Sequence, residues 1–198
     1  IVIVTSGNLG TSQAVYKSIE KDLKSTSGIM NLNTCKDFDQ IASYVGSLNI
    51  EHSAPQGINT DNVLLGSTFI VGGQIKGQQH ELYLVYPQGN YIRPADSKPY
   101  LVIGEVKYGK PILDRVIKPD VSIGDASRCA LISMDSTLKS DLTVGPPIDF
   151  AVLKKDADKL SSLECLNVTD ETYSKVCNQW SDGIFKVFDS FPRFDWEK

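Results

Sequence analysis

The spacing of apolar residues switches along this chain, and that switch limits the fold more than any single motif. After an opening β-rich run, Ile1 to Thr5, that ends at Ser6-Gly7-Asn8, Val15, Ile19 and Leu23 recur every fourth position with Tyr16 beside them. That is the spacing of one face of an amphipathic helix, and Ser25-Thr26-Ser27-Gly28 supplies its stop signal. Thr34 with Asp37 as capping-box partner announces a second helix, whose stripe is Phe38, Ile41, Ala42, Val45 and Leu48. Gly46 weakens that helix.

From Asn59 onward the pattern becomes β-like. Ser67 to Ile75, Glu81 to Tyr86 and Tyr100 to Ile103 are β-branched and aromatic runs. Lys76-Gly77-Gln78-Gln79 and Pro87-Gln88-Gly89-Asn90 provide turns between them, which predicts an antiparallel meander. Near-continuous apolar runs predict strands covered on both faces, and so layers above and below the sheet.

Helix returns after Tyr108, where Lys110-Pro111-Ile112-Leu113 puts proline in a first turn. Ser122 with Asp125 caps a further helix bearing Ala126, Cys129, Ala130 and Met134. Ile148 to Leu153 reads as a strand. Asp170 and Glu171 open a last helix with the stripe Tyr173, Val176, Cys177, Trp180, Ile184, Val187 and Phe188. Helix pairs alternating with antiparallel strands fit an α+β fold, either layered or a four-layer αββα sandwich. The 198 residues suffice for one sizeable core and carry no repeat or linker, so a single domain over residues 1–198 is expected.

Composition removes several function classes. A net charge of −4 opposes nucleic-acid binding, which usually needs a basic face. No apolar run reaches membrane length and no signal peptide is present, so a cytoplasmic protein without a membrane partner is expected. Cys35, Cys129, Cys165 and Cys177 show no CxxC spacing, which predicts reduced thiols and no zinc knuckle. His52 and His80 have no ligand partner at metal spacing, so no metal site is expected. Gly72-Gly73 lacks the spacing of a nucleotide loop. No cofactor is expected. Pattern alone stops at a single α+β domain, because no nucleophile and base can be located by spacing.

Two segments carry a family resemblance. Gly104-Glu105-Val106-Lys107-Tyr108-Gly109-Lys110-Pro111-Ile112-Leu113-Asp114-Arg115 strongly resembles the corresponding stretch of Anbu proteins, the bacterial relatives of proteasome β-subunits and HslV. Ser136-Thr137-Leu138-Lys139-Ser140, continued by Val144-Gly145-Pro146-Pro147-Ile148-Asp149, is similar to the same family. Ser6-Gly7-Asn8-Leu9 and Phe69-Ile70-Val71-Gly72-Gly73-Gln74-Ile75 fit it too. The likeness covers most of the chain to about Leu153 and is weaker from Asp156 onward.

That resemblance implies an αββα sandwich and a threonine-type peptidase with an N-terminal nucleophile. The free α-amine of such a residue titrates close enough to neutrality to take the hydroxyl proton. The chain opens at Ile1 as if inside a strand, so the first strands and the nucleophile are expected upstream of it. The resemblance further implies that Gly7 donates its N–H to the oxyanion. Thr5, Ser6 and Leu9 would border the bound peptide, which pairs main chain to main chain. Glu105, Lys107, Asp135, Ser136 and Ser140 fall near the family's supporting residues. Gly104-Glu105-Val106 departs from the Gly-Ser-Gly stretch of proteasome β-subunits, so the usual hydrogen-bond network around the amine is altered here. Plain structural roles compete at each position: a turn at Gly7, a surface ion pair at Glu105 and Lys107, helix-end capping at Asp135, Ser136 and Ser140. For Tyr108 a core aromatic role is the favoured expectation.

The expected partners are a peptide or unfolded protein and further copies of the chain, in a ring or an open spiral; whether an ATPase takes part is left open. Two alternatives stand beside the peptidase: a weakly active or non-catalytic scaffold, and an amidohydrolase of the same fold acting on a small amide.

Overall fold

The computed structural model describes residues 1–26, 28–53 and 65–197. Ser27 of the first stop signal and Asn59, where the β-rich pattern is expected to begin, lie outside them. The described residues form two compact units: residues 1–104 with 153–159, and residues 105–152 with 160–198.

The first unit runs β1 (Val2–Gly7), α1 (Leu9–Lys24), α2 (Phe38–Ser53), β2 (Ser67–Gln74), β3 (His80–Val85) and β4 (Tyr91–Ile92). Its strands form one antiparallel sheet in the order β1-β2-β3-β4. Thr5 pairs with Phe69, Gly7 with Ser67, and Val71 with Tyr83. Alternate β2 residues Ser67, Phe69 and Val71 are buried, and the residues between them only half-buried. The fully covered face meets Val15 and Ile19 of α1 and Phe38, Ile41, Val45 and Leu48 of α2 in a single core. Among the described residues β1 forms one edge of this sheet.

Three expectations shift in this unit. Tyr100–Ile103 is not a strand; the third partner of the meander is the two-residue β4, directly after the Pro87–Asn90 turn. Turn chemistry outranked the longer apolar run, since a short hairpin loop delivers its next strand at once. The helix cap starts at Asp37 rather than Thr34: Gln40 N–H donates to Asp37 Oδ1 at 2.8 Å, while Thr34 Oγ1 accepts from Asn31 N–H at 2.9 Å. Gly46 sits where α2 presses on the hairpin turn, and a Cβ there would lie 2.3 Å from the Gly89 carbonyl oxygen. The helix-weakening residue permits that close approach.

The second unit contains α3 (Lys110–Val116), α4 (Ile123–Ser140), the antiparallel pair β5 (Ile148–Val152) and β6 (Ser162–Leu166), and α5 (Glu171–Asp189). Pro111 lies in the first turn of α3, and Ser122 Oγ accepts from Asp125 N–H at 3.0 Å. The core is Leu131, Ile148, Leu166, Tyr173 and Cys177. Tyr173 and Cys177 of the last helical stripe are buried, but Ile184, Val187 and Phe188 are exposed. β6, rich in Ser, Glu and Cys, carries no β-branched signal in its sequence and was legible only through pairing with β5. All four cysteines are free thiols, Cys165 exposed and the rest buried.

Candidate active site

The first unit holds Thr5, Ser6, Gly7 and Leu9 together where β1 turns into α1. Gly7 is exposed and adopts φ 112°, a conformation that L side chains rarely take. An added Cβ would also sit 3.1 Å from the Gly66 carbonyl oxygen and 3.3 Å from Ser67 Cα. Asn8 follows as N-cap, its Oδ1 accepting from Thr11 N–H at 3.0 Å. Leu9, the first residue of α1, is 69% exposed. Ser6 is half-buried opposite Thr68.

Beneath the turn lies a buried polar network that motif reading does not detect. Thr5 Oγ1 and Ser12 Oγ are 2.9 Å apart, and Ser12 Oγ is 2.9 Å from Ser67 Oγ. The hydroxyls of Ser12 and Ser67 both reach the Asn8 carbonyl, at 3.0 and 2.8 Å. Asn49 of α2 braces Ser67 from behind: its Nδ2 donates to the Ser67 carbonyl at 2.6 Å and the Tyr86 carbonyl at 3.1 Å, while its Oδ1 accepts from Ser67 N–H at 3.3 Å. Asn49 and Ser67 are both fully buried, and no buried polar side-chain atom among the described residues lacks a partner. One sequence clue existed, because Asn49 directly follows the apolar stripe Phe38 to Leu48 and a polar residue there needs partners. Thr11 adds an anchor, its hydroxyl donating to the Leu65 carbonyl.

The second unit holds the remaining candidates, in two separate groups. Glu105 Oε1 accepts from Lys107 N–H at 2.8 Å, and Glu105 Oε2 lies 4.0 Å from Lys107 Nζ. Lys107 is exposed, and so is Tyr108, against the expectation of a core aromatic. Asp135 is buried on α4, 2.7 Å from Lys139 Nζ and 3.4 Å from Tyr173 Oη. Burial, with Cys177 and Asp135 adding to it, raises the Tyr173 hydroxyl pKa above its ordinary value; burial likewise raises that of the Cys177 thiol. Both groups are therefore held neutral, the opposite of an activated nucleophile. Ser136 Oγ donates to the Ile132 carbonyl one turn back at 3.0 Å, and Ser140 ends α4 exposed to solvent.

No family model matches the chain, and no curated protein does. Solved structures match closely. Anbu from Hyphomicrobium sp. strain MC1 is 37% identical with a TM-score of 0.88, covering 98% of this chain and 81% of that one. Anbu (ancestral beta-subunit) from Yersinia bercovieri is 33% identical with a TM-score of 0.89, covering 98% and 80%. The chain described as the helical assembly of the Anbu complex from Pseudomonas aeruginosa is 35% identical with a TM-score of 0.89, covering 97% and 79%.

Proposed function

Because the chain belongs to the Anbu family of ancestral proteasome β-subunit-like proteins, we propose that it is a proteasome-type peptidase subunit acting through an N-terminal nucleophile. The observation that carries this reading is Gly7: an exposed glycine at φ 112°, ending the strand that forms the sheet edge among the described residues, in a chain with this likeness. Glycine suits a place where backbone must approach a ligand closely.

The reacting hydroxyl belongs to a residue ahead of Ile1. Its oxygen bonds to the scissile carbonyl carbon as its proton passes to the α-amine of the same residue. The Gly7 N–H faces the resulting oxyanion, a contact whose full strength exists only in the transition state. The C–N bond then breaks, the amine returns the proton to the leaving group, and water releases the acyl product. The outer edge of β1 receives the peptide as an added strand, with Thr5, Ser6 and Leu9 alongside. Of the supporting candidates, Glu105, Asp135, Ser136 and Ser140 act as supporting structure, while exposed Lys107, 4.0 Å from Glu105, contributes little.

On the same reading the α+β fold completes a four-layer sandwich as one proteasome-type domain. The protein works in the cytoplasm as a spiral homo-oligomer. Two findings support that assembly: the helical assembly of the Pseudomonas aeruginosa relative, and exposed Phe185, Phe188, Phe191, Phe194 and Trp196 at the end of this chain. Among the described residues no helix is long and apolar enough to cross a membrane.

Intact-mass analysis and N-terminal sequencing of the full-length protein, before and after a β-lactone or vinyl-sulfone probe, test the proposal. The expected result is an upstream Thr, Ser or Cys at the mature terminus that becomes covalently labelled. A terminus without such a residue, or one that no probe modifies, replaces the enzyme with a scaffold. Profiling against small amides separates an amidohydrolase from a peptidase.

A further inference from the structure

We propose that Ser67, braced by Asn49 and Ser12, is the positioning residue that fixes the Gly7 turn for catalysis; this rests on the peptidase reading above. Gly7 alone cannot hold its own N–H in place, since glycine is the residue with the most backbone freedom to lose. Something outside the turn must supply the constraint.

The constraint converges on the carbonyl one residue later. Around Asn8 O lie Ser67 Oγ at 2.8 Å, Ser12 Oγ at 3.0 Å and the Ser12 backbone N–H at 3.0 Å. Three hydroxyls share these contacts, and each has one proton. A consistent arrangement runs from Thr5 to Ser12, then to Ser67, and ends on Asn8 O; it uses all three protons, and Ser12 Oγ then lies beside Asn8 O without donating to it. Ser67 also pairs with Gly7 across the β1–β2 ladder. It therefore touches both sides of the turn, through its backbone register with Gly7 and its side chain on Asn8.

What keeps Ser67 still is Asn49. The amide of Asn49 engages both the Ser67 N–H and the Ser67 carbonyl, and neither residue has any solvent exposure. In a dry site such a network has few alternative settings, because breaking it strands buried polar groups. Rigidity of this kind is what a preorganised donor requires.

The test compares Ser67→Ala with Val15→Ala in the full-length protein, using β-lactone labelling kinetics. Val15 is fully buried in the same core but takes no part in the network, so it controls for general loosening. The expected result is a kinact lower by about tenfold in Ser67→Ala, with KI and the Val15→Ala kinact nearly unchanged. Hydrogen exchange at the Gly7 to Gly10 amides should quicken in Ser67→Ala alone. Should Ser67→Ala not fold, Ser12→Ala reads the same network. Equal kinact in Ser67→Ala and wild type overturns the positioning role while leaving the peptidase reading intact. Parallel loss in Val15→Ala also overturns it, as does a wild type that no probe labels, which removes the peptidase with it.

Discussion

Asn49 holds Ser67 by both of its backbone polar groups, the carbonyl through Nδ2 at 2.6 Å and the N–H through Oδ1 at 3.3 Å. A helix side chain thereby completes the hydrogen bonding of a strand residue at the end of its ladder. The same Nδ2 reaches the Tyr86 carbonyl at 3.1 Å, tying α2 to the end of β3.

Asn49→Ala removes the side-chain partner of the buried Ser67 N–H and carbonyl, while the Tyr86 carbonyl keeps the Gly89 N–H at 2.9 Å. An expected loss of about 3 kcal/mol follows, read as a lower urea midpoint with an unchanged slope. Asn49→Asp should be worse at neutral pH than at mildly acidic pH, because a carboxylate then faces two carbonyl oxygens. A stability loss under about 0.5 kcal/mol for the alanine variant would show that water replaces the amide.

Gly7→Ala is expected to lower stability by about 1–3 kcal/mol, the range for a non-glycine residue forced into a sparsely populated conformation. Its β-lactone labelling should fall far more than that loss of fold explains. Labelling at the wild-type rate would remove the Gly7 N–H from the mechanism.

Lys107→Ala tests the opposite expectation. The Glu105–Lys107 pair is long at 4.0 Å and Lys107 is exposed, so its removal should change stability by less than about 0.5 kcal/mol. Thermal melts and probe labelling of this variant should both match wild type. A selective loss of labelling would make Lys107 part of the reacting centre.

Tyr83 gives a pH signature. Burial pushes its hydroxyl pKa up to about 12, and the hydrogen bond to Asp39 acts in the same direction, while Arg93 opposes both. The folded state thus keeps the proton that the unfolded chain releases near pH 10. Stability is fully present below pH 10 and falls as pH rises toward about 12. In Tyr83→Phe the fall between pH 10 and 12 should be shallower, as followed by urea midpoints; an unchanged slope would assign the alkaline transition to other groups.

The helices of this fold were largely readable because each carries a local signal: the fourfold spacing of Val15 and Ile19, the Ser122–Asp125 cap, the proline opening α3. Strand partners were less so. Tyr100–Ile103 has the better β composition, yet two-residue β4 pairs with β3, because pairing is decided by turn geometry and not by composition. At the candidate site, the residues named from the resemblance were placed at one junction, Thr5 to Leu9, or in separate groups along the second unit. The network that braces the junction was invisible, since Ser12, Asn49 and Ser67 lie far apart in sequence and meet only after α2 packs on the sheet. The single local trace of it is Asn49 itself, a polar residue directly after the apolar stripe of α2, where burial demands hydrogen-bond partners.

The contact between Gly46 and Gly89 bears on how this protein can be altered. Hairpin tips are where tags, reporter loops and circular-permutation breaks are ordinarily placed with impunity. The Pro87–Asn90 tip is not such a place, because its chain lies against α2 with no room for a single methyl group at Gly46, and Gly89 itself takes φ 83° against Ile50. A grafted sequence there would act as a wedge under the helix that carries Asn49. Lineages of this fold should accept insertions more readily at the Lys76–Gln79 turn, where Gly77 also takes φ 83° but has open space at its Cβ position, and stay fixed in length at the other.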